Sequence, residues 1–433
     1  MSATLLTSSV GYQNKSSRGD CMKTYMFPGQ GSQARGMGGK LFDEFPELTG
    51  KADNILGYSI KELCLEDPRG ELSKTQFTQP ALYVVNALSY YGRLRDTGET
   101  PDFVAGHSLG EFNALLAAEC FDFETGLKLV KKRGELMSQA TGGAMAAIIN
   151  ASRDRIEELL KENGLGNVDI ANYNTPQQIV ISGPTDDIAA CQKVFQYDNV
   201  MFIPLNTSGA FHSRLMVPAQ QKFETLLKKR KFAKAKIPVI ANFTAKPYPE
   251  RAVVEYLSKQ IRSTVLWSDT IDYLMSVSDE MEFVEIGHGD VLTKMIVKIR
   301  QIAAKAAKAQ AQVQADAEAG TKVQAQDKAE AAAAAEQDKP AAIADEAPSR
   351  DAAPPAANGT PAPAASVDRF ALAEKKVSAW NQRHPAGTKA RSLVPDYGDL
   401  TTRTSAVVLF GHRAAVYMEG YNGYFDLDEI EAA

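Results

Sequence analysis

Apolar residues along this chain fall into short runs of strand length, set between longer stretches with helical spacing. Tyr25-Met26-Phe27 is the first such run, and Pro28-Gly29-Gln30-Gly31-Ser32-Gln33 ends it in a tight turn. Residues 34–100 read mainly as helix, most apolar over Pro80–Leu88. Pro101-Asp102-Phe103-Val104-Ala105 predicts a buried strand, and Phe112–Ala118 a helix of good helix formers. Phe123–Met137 has the spacing of an amphipathic helix carrying Lys131, Lys132 and Arg133. Such a charge run reads as a solvated face, and nothing local singles out Arg133.

From Gly143 to Leu205 the rhythm changes. Strands are expected at Met145–Ile149, Val168–Ala171, Gln178–Ser182 and Val200–Leu205, with helices at Asp154–Glu162 and Asp186–Phe195. That β-α-β-β-α-β order predicts a ferredoxin-like subdomain, over about 143–206, inserted in a larger α/β domain. The runs Ile237–Asn242 and Phe283–Gly287 are expected to return to the main sheet.

Near residue 300 the composition shifts. Residues 301–336 are rich in Ala, Gln, Lys and Glu and read as a solvated helix; residues 339–365 are rich in Ala and Pro. The expectation is an extended linker over 301–366. Trp380, Gly387-Thr388, Ala406–Phe410, Ala414–Met418 and Tyr424–Leu427, spaced by turn residues, predict a small SH3-like β-barrel module over 367–433. At the other end, residues 1–22 are polar with no continuous apolar stretch, so the expectation is a disordered extension and not a signal peptide. Met22, just before the fold-like sequence, is a candidate start.

A chain of 433 residues is long enough for a large core and more than one domain. A formal net charge of -5 argues against a nucleic-acid partner. No apolar run approaches a membrane span. Cys21, Cys64, Cys120 and Cys191 are scattered, with neither metal-ligand nor disulfide-framework spacing, so a reducing cytoplasm is the expected setting.

The chemistry centres on Gly106-His107-Ser108-Leu109-Gly110, which fits the G-x-S-x-G nucleophile elbow. A strand before it and a helix after it would set Ser108 on a sharp turn, facing free helical N–H groups. A serine nucleophile needs a base. The five histidines are His107, His212, His288, His384 and His412. His107 adjoins the serine, where neighbouring side chains on a turn point apart. His384 and His412 lie beyond the low-complexity stretch. His212 follows the run Met201–Leu205 and would sit at a strand end, where α/β folds place their sites.

Several motifs then appear in the order found in one family. Residues 23 to about 300 resemble the malonyl-CoA:acyl carrier protein transacylases, especially the free-standing acyltransferases that serve polyketide synthases. Phe27–Gln33 is similar to the family's opening loop, Gly106–Glu111 to its nucleophile motif, and Lys132–Met137 to the helix bearing its carboxylate-binding arginine. Ala210-Phe211-His212-Ser213 is similar to its histidine motif. Gln260 stands where the family has a glutamine whose main-chain carbonyl orients the histidine. The family's late Gly-Pro-Gly is Gly287-His288-Gly289 here, and the linker and C-terminal module lie outside the resemblance.

The resemblance implies an α/β-hydrolase-like core plus the ferredoxin-like subdomain. It implies malonyl transfer from malonyl-CoA to the phosphopantetheine thiol of an acyl carrier protein, in polyketide or fatty-acid biosynthesis, with no bound cofactor or metal. Ser108 would be the nucleophile and His212 its base. The main-chain N–H groups of Gln30 and Leu109 would hold the oxyanion, Arg133 the malonyl carboxylate, and Phe211 would narrow the space at the malonyl α-carbon. Carrier proteins are generally acidic, so the basic run Lys228-Lys229-Arg230-Lys231, with Lys234 and Lys236, is a candidate docking patch, and the C-terminal module a candidate contact for synthase modules. Two alternatives stay open: a proofreading acyl-carrier-protein thioester hydrolase using the same serine and histidine, and a non-catalytic docking scaffold.

Overall fold

The computed structural model describes residues 22–308, 369–385, 387–392, 399–402, 406–409, 413–418, 424–427 and 430–432. The N-terminal extension up to residue 21, the linker from 309 and His412 lie outside the described residues. The chain divides into two compact units, Met1–Ile299 and Arg300–Ala433.

The first unit opens on β1 (Lys23–Phe27), followed by α1 (Leu41–Glu44), α2 (Pro46–Leu56), α3 (Ile60–Leu65) and α4 (Thr75–Thr97). Then come β2 (Phe103–Gly106), α5 (Gly110–Ala117) and α6 (Phe123–Ser138). The inserted stretch holds β3 (Gly143–Ile149), α7 (Arg153–Glu162), β4 (Asp169–Thr175), β5 (Gln178–Pro184), α8 (Thr185–Val194) and β6 (Met201–Pro204). After it come α9 (Val217–Leu227), β7 (Val239–Ile240), α10 (Val253–Gln260), α11 (Trp267–Val277), β8 (Glu282–Glu285) and α12 (residues 291–308).

Four strands form a wholly parallel sheet in the order β7-β2-β1-β8. Its strands are short, and they are continuously apolar where both faces are covered, as at Tyr25–Phe27 and Phe103–Gly106. Alternate residues go opposite ways. Tyr25 and Phe27 pack with Leu82, Val85 and Leu88 of α4 and with Val130 of α6, while Met26 joins Ala105, Ile240, Trp267 and Ile271 on the other face. The strand expected over Ile237–Asn242 is confined to Val239–Ile240.

The inserted sheet is antiparallel, in the order β4-β5-β3-β6. Ala146, Ile148, Ile179 and Ile181 face α7 and α8; Met145, Ala147 and Val180 face the main core. This sheet is fastened to the main body through its edge. Val265 N–H donates to the Ala171 carbonyl at 2.9 Å, and Tyr173 N–H donates to the Val265 carbonyl at 2.9 Å. Asp169 holds Arg214 through both carboxylate oxygens, Oδ1 accepting from Nη2 and Oδ2 from the main-chain N–H and Nε.

The second unit contains α13 (Arg369–Arg383), β9 (Lys389–Ser392), β10 (Asp399–Thr401), β11 (Val407–Leu409), β12 (Arg413–Tyr417), β13 (Tyr424–Asp426) and β14 (Ile430–Ala432). Its described strands form two antiparallel three-stranded sheets, β10-β9-β14 and β11-β12-β13. Trp380, taken with the β module from sequence, lies on α13, where its ring meets that of His384 with centroids 4.5 Å apart. One turn of helix separates the two residues, so they share a face. Trp380 packs against a small core that includes Ala390, Leu400, Val416 and Ile430.

Candidate active site

Phe27 and Gly106 end neighbouring parallel strands and pair in register, so their following loops leave the sheet side by side. The loop after β2 turns at once into α5. At its apex Ser108 has a φ of 50°, a left-handed conformation unfavourable for serine. The crossing is possible because its flanks carry no side chains: a Cβ on Gly106 would collide with the main chain of Gly110, and one on Gly110 with the Phe27 carbonyl. Asn242, just past β7, clamps the turn. Its Oδ1 accepts from the Ser108 N–H at 2.7 Å, and its Nδ2 donates to the Gly106 carbonyl at 2.6 Å.

The segment after β6 brings His212 to this apex, also with a left-handed backbone at a φ of 58°. Its Nε2 lies 2.8 Å from Ser108 Oγ. Its Nδ1 faces two main-chain carbonyls, Gln260 at 3.0 Å and Ser263 at 3.1 Å. Carbonyls only accept, so the ring proton belongs on Nδ1 and the Nε2 lone pair faces the serine hydroxyl. Burial, reinforced by the nearby positive Arg133, pushes the imidazole pKa down to about 3. The ring is therefore neutral at physiological pH and able to accept a proton. A cleft of about 950 Å³, bordered by α7 and residues 262–266, reaches His212.

α6 carries Arg133 on its inward face. The helix starts at Asp122, whose side chain accepts from the Thr125 N–H, and successive residues of the basic run point different ways. Lys131 donates to the Ile55 carbonyl and Lys132 pairs with Glu135 in the open. Arg133 is 1 % exposed. Its Nη2 donates to Ser108 Oγ at 3.1 Å and to Gln260 Oε1 at 3.0 Å. Its Nε has no partner, and no carboxylate lies within ion-pair distance among the described residues. Burial lowers its pKa to about 10, opposed by the field of Glu111.

Gln30 reaches the same place from the loop after β1. Its side chain donates to Thr75 Oγ1 at 3.4 Å, which in turn lies 3.2 Å from Ser208 Oγ. The main-chain N–H groups of Gln30 and Leu109 have no acceptor among the described residues. Phe211 is buried beside His212 and shares a core cluster with Leu109 and Met137. All seven residues singled out from sequence therefore converge on one region of the first unit: Ser108, His212, Arg133, Gln260, Gln30, Leu109 and Phe211.

Other singled-out residues lie elsewhere. His107 points away from Ser108, with Nε2 2.8 Å from Asn174 Oδ1 and its ring against Trp267. In the Gly287-His288-Gly289 loop, Gly287 lies close against Pro28 and Asn86. The basic run leads into a segment held at the C-terminal end of α5. Ala233 and Lys236 hydrogen-bond the Cys120 and Ala118 carbonyls at the C-terminal end of α5, whereas Ser108 precedes its N-terminus. The segment after the basic run therefore meets α5 at the opposite end from the serine.

Sequence reasoning missed the layer beneath the serine: Asn242, Thr75, Tyr248 and Glu111. Glu111 stood in the elbow motif without a role. Its signal was a carboxylate next to Phe112 on a wholly buried helix whose one other polar side chain is Asn113.

The family model described as "Acyl transferase domain" matches residues 24–337. The polyketide biosynthesis malonyl CoA-acyl carrier protein transacylase PksC of Bacillus subtilis is 56% identical over 284 residues, covering 65% of this chain and 98% of that protein. Its counterpart BaeC of Bacillus velezensis is 54% identical, over 64% of this chain and 97% of its own length. Among solved structures, a malonyl CoA-acyl carrier protein transacylase from Burkholderia pseudomallei superposes with a TM-score of 0.64 at 60% identity, covering 65% of this chain and 99% of that one. A malonyl-transacylase solved in complex with its type II PKS acyl-carrier protein matches with a TM-score of 0.60 at 33% identity, covering 64% and 93%.

Proposed function

The chain belongs to the acyl transferase domain family, and from that premise we propose that it transfers a malonyl group from malonyl-CoA to the phosphopantetheine thiol of an acyl carrier protein in polyketide biosynthesis. The observation that carries the reading is Arg133. A buried guanidinium without an ionic partner, bonded to the hydroxyl of a strained serine, is costly unless a substrate anion completes it. The free carboxylate of a malonyl thioester is such an anion, and its thioester carbon then falls near Ser108 Oγ.

Transfer runs in two half-reactions. His212 Nε2 takes the Ser108 proton as Oγ adds to the thioester carbonyl. The oxyanion is held by the free N–H groups of Leu109 and Gln30, each worth roughly 3 kcal/mol in such sites. The intermediate collapses with loss of the CoA thiolate, which takes the proton from His212. The carrier thiol then gives its proton to His212 and attacks the malonyl ester, and Ser108 recovers its proton as it leaves. The carbonyls of Gln260 and Ser263 hold the imidazole in one tautomer throughout, in place of a carboxylate third member. Phe211 narrows the space at the malonyl α-carbon. No bound cofactor takes part. A hydrolase of neutral acyl chains would leave Arg133 nothing to bind, so transfer is the preferred activity.

The α/β-hydrolase-like character of the core belongs to the same reading, supported by the strand–elbow–helix passage through Ser108. The C-terminal unit is assigned to contact with synthase modules. Much of it lies beyond the residues matched by the family model, which supports a role apart from transfer.

The test is intact-protein mass spectrometry after brief exposure to malonyl-CoA. A malonyl ester on Ser108 that passes to a holo carrier protein is expected. Arg133→Ala should lower kcat/KM for malonyl-CoA by a hundredfold or so, from the loss of about 2–5 kcal/mol for a buried charge pair. No ester, with hydrolysis of neutral acyl-carrier thioesters, overturns the reading.

A further inference from the structure

Directly beneath Ser108 sits a carboxylate that the acyl-transfer scheme does not use. Glu111 is 0% exposed. Its Oε1 accepts from the Tyr248 hydroxyl, and its Oε2 accepts from the Asn242 N–H at 3.1 Å and from Gln260 Nε2 at 3.1 Å. Gln260 Nε2 also donates to the Ser108 carbonyl, at 2.6 Å. Two acceptors on one side of the amide thus fix which end is nitrogen. The amide oxygen must face the other way, where it accepts from Arg133 Nη2 at 3.0 Å. The main-chain carbonyl of the same residue accepts from His212 Nδ1. One residue therefore connects the two groups on which transfer depends, its amide to Arg133 and its main-chain carbonyl to His212, and Glu111 and the Ser108 carbonyl together fix how that amide points.

We propose that Glu111 is a positioning residue for Arg133 and His212, acting through Gln260, and that its negative charge balances that of the Arg133 guanidinium. The assignment rests on the malonyl-transfer reading. Arg133 has no carboxylate in ion-pair range among the described residues, and Glu111 is an acid whose field reaches it. Without that charge, the guanidinium opposes the imidazolium that forms on His212 in each half-reaction. Burial raises the Glu111 pKa to about 7, against the pull of Tyr248, Gln260, the Asn242 N–H and Arg133. The titratable groups that face it are Arg133 from α6 and Tyr248 from the segment after β7, with Cys120 and Tyr256 acting on Tyr248 from behind. The active form is the carboxylate, so turnover falls as pH drops through about 7. His212, at about 3, does not produce that limb.

The experiment measures malonyl transfer to a holo carrier protein across pH 5.5 to 9 for the full chain, Glu111→Gln, Glu111→Asp and Tyr248→Phe. Rates are normalised to the Ser108 sites that accept malonyl, which removes any misfolded fraction. Glu111→Gln keeps the shape and the acceptor for Gln260 but not the charge. Its kcat should fall about tenfold with KM for malonyl-CoA no higher, and its acid limb should vanish. Glu111→Asp should restore the limb. Tyr248→Phe leaves the carboxyl in place and removes a bond that lowers its pKa, so the limb should move to higher pH. A Glu111→Gln chain with the wild-type plateau and limb overturns the proposal. If that variant does not fold, an unmoved limb in Tyr248→Phe overturns it. A wild-type chain that takes no malonyl ester overturns the proposed function itself, a result distinct from variants that are acylated but kinetically unchanged.

Discussion

The two sheets of the first unit place backbone strain very differently. Around the antiparallel sheet, left-handed backbone outside glycine falls on Asn150 and Asp198, exposed turn residues of the types that tolerate it. In the part built on the parallel sheet it falls on turn residues too, Asp67, Glu119 and Arg251, but there it also reaches the buried Ala245 after β7 and Ser108, half-buried at the turn after β2, and the site's other left-handed residue is the buried His212. Within the antiparallel sheet the β3–β5 pair obeys simple alternation, with Ile148, Ile179 and Ile181 all on the face toward α7 and α8, and the register shifts are confined to the pairing of β4. The site at the end of the parallel sheet breaks several local preferences at once: a strained serine, a buried unpaired arginine and a buried glutamate. Those departures make sense only together, as parts of one reactive arrangement.

The largest expected effect tests the strained crossing. Gly106→Ala places a methyl group against the main chain of Gly110, where no flexible side chain is available to yield. The elbow must then open or the fold must give way, at a cost of about 4 kcal/mol or more. Thermal unfolding and malonyl labelling of Ser108 should both show the loss. A variant with wild-type stability and wild-type labelling would show that the tight crossing is not required.

How much of this was legible in the sequence follows the same division. The β-α-β-β-α-β order was readable because alternation and helical spacing are local signals, as Gln178–Ser182 and Asp186–Phe195 illustrate. Ser108 was readable because its glycines are adjacent in sequence, and His212 because the chain has few histidines. Arg133 was not separable from Lys131 and Lys132 by composition. Only the rotation of α6 against α4 turns one of the three inward, and the family resemblance was needed to choose it. Glu111 was opaque for a different reason: its partners Asn242, Tyr248 and Gln260 lie more than a hundred residues away in sequence. The helix α13 was missed because Trp380 was grouped with the strands that follow it.

A smaller effect is expected in the regular sheet. Ile148→Ala removes a fully buried side chain between β3 and α7–α8, which costs about 2–5 kcal/mol of stability. The packing lost faces away from the site, so transfer per folded molecule should stay near wild type. Denaturant unfolding paired with kcat on the folded fraction makes the check. A drop in kcat as large as the drop in stability would mean that the inserted sheet shapes the chemistry and does more than carry the loop to His212.

The smallest effect concerns charge far from both sheets' shared edge. Lys229, Arg230 and Lys231 are exposed and have no ionic partner among the described residues, whereas Lys228, Lys234 and Lys236 pair with Glu224, Glu250 and Glu119. An unpaired basic cluster attracts acidic proteins in general. Its position argues against a role in transfer. It lies past the C-terminal end of α5, an eight-residue helix of about 12 Å, on the opposite side from the turn that bears Ser108. A carrier docked at the mouth of the site would have its acidic surface more than a Debye length, about 8 Å at physiological salt, from these cations, and charges so separated are largely screened. Reversal of Lys229 and Lys231 to Glu should therefore change KM for the carrier protein less than twofold at that ionic strength. A tenfold rise in KM with kcat unchanged would place the carrier against this face, and would require its thiol arm to reach Ser108 around the end of the parallel sheet.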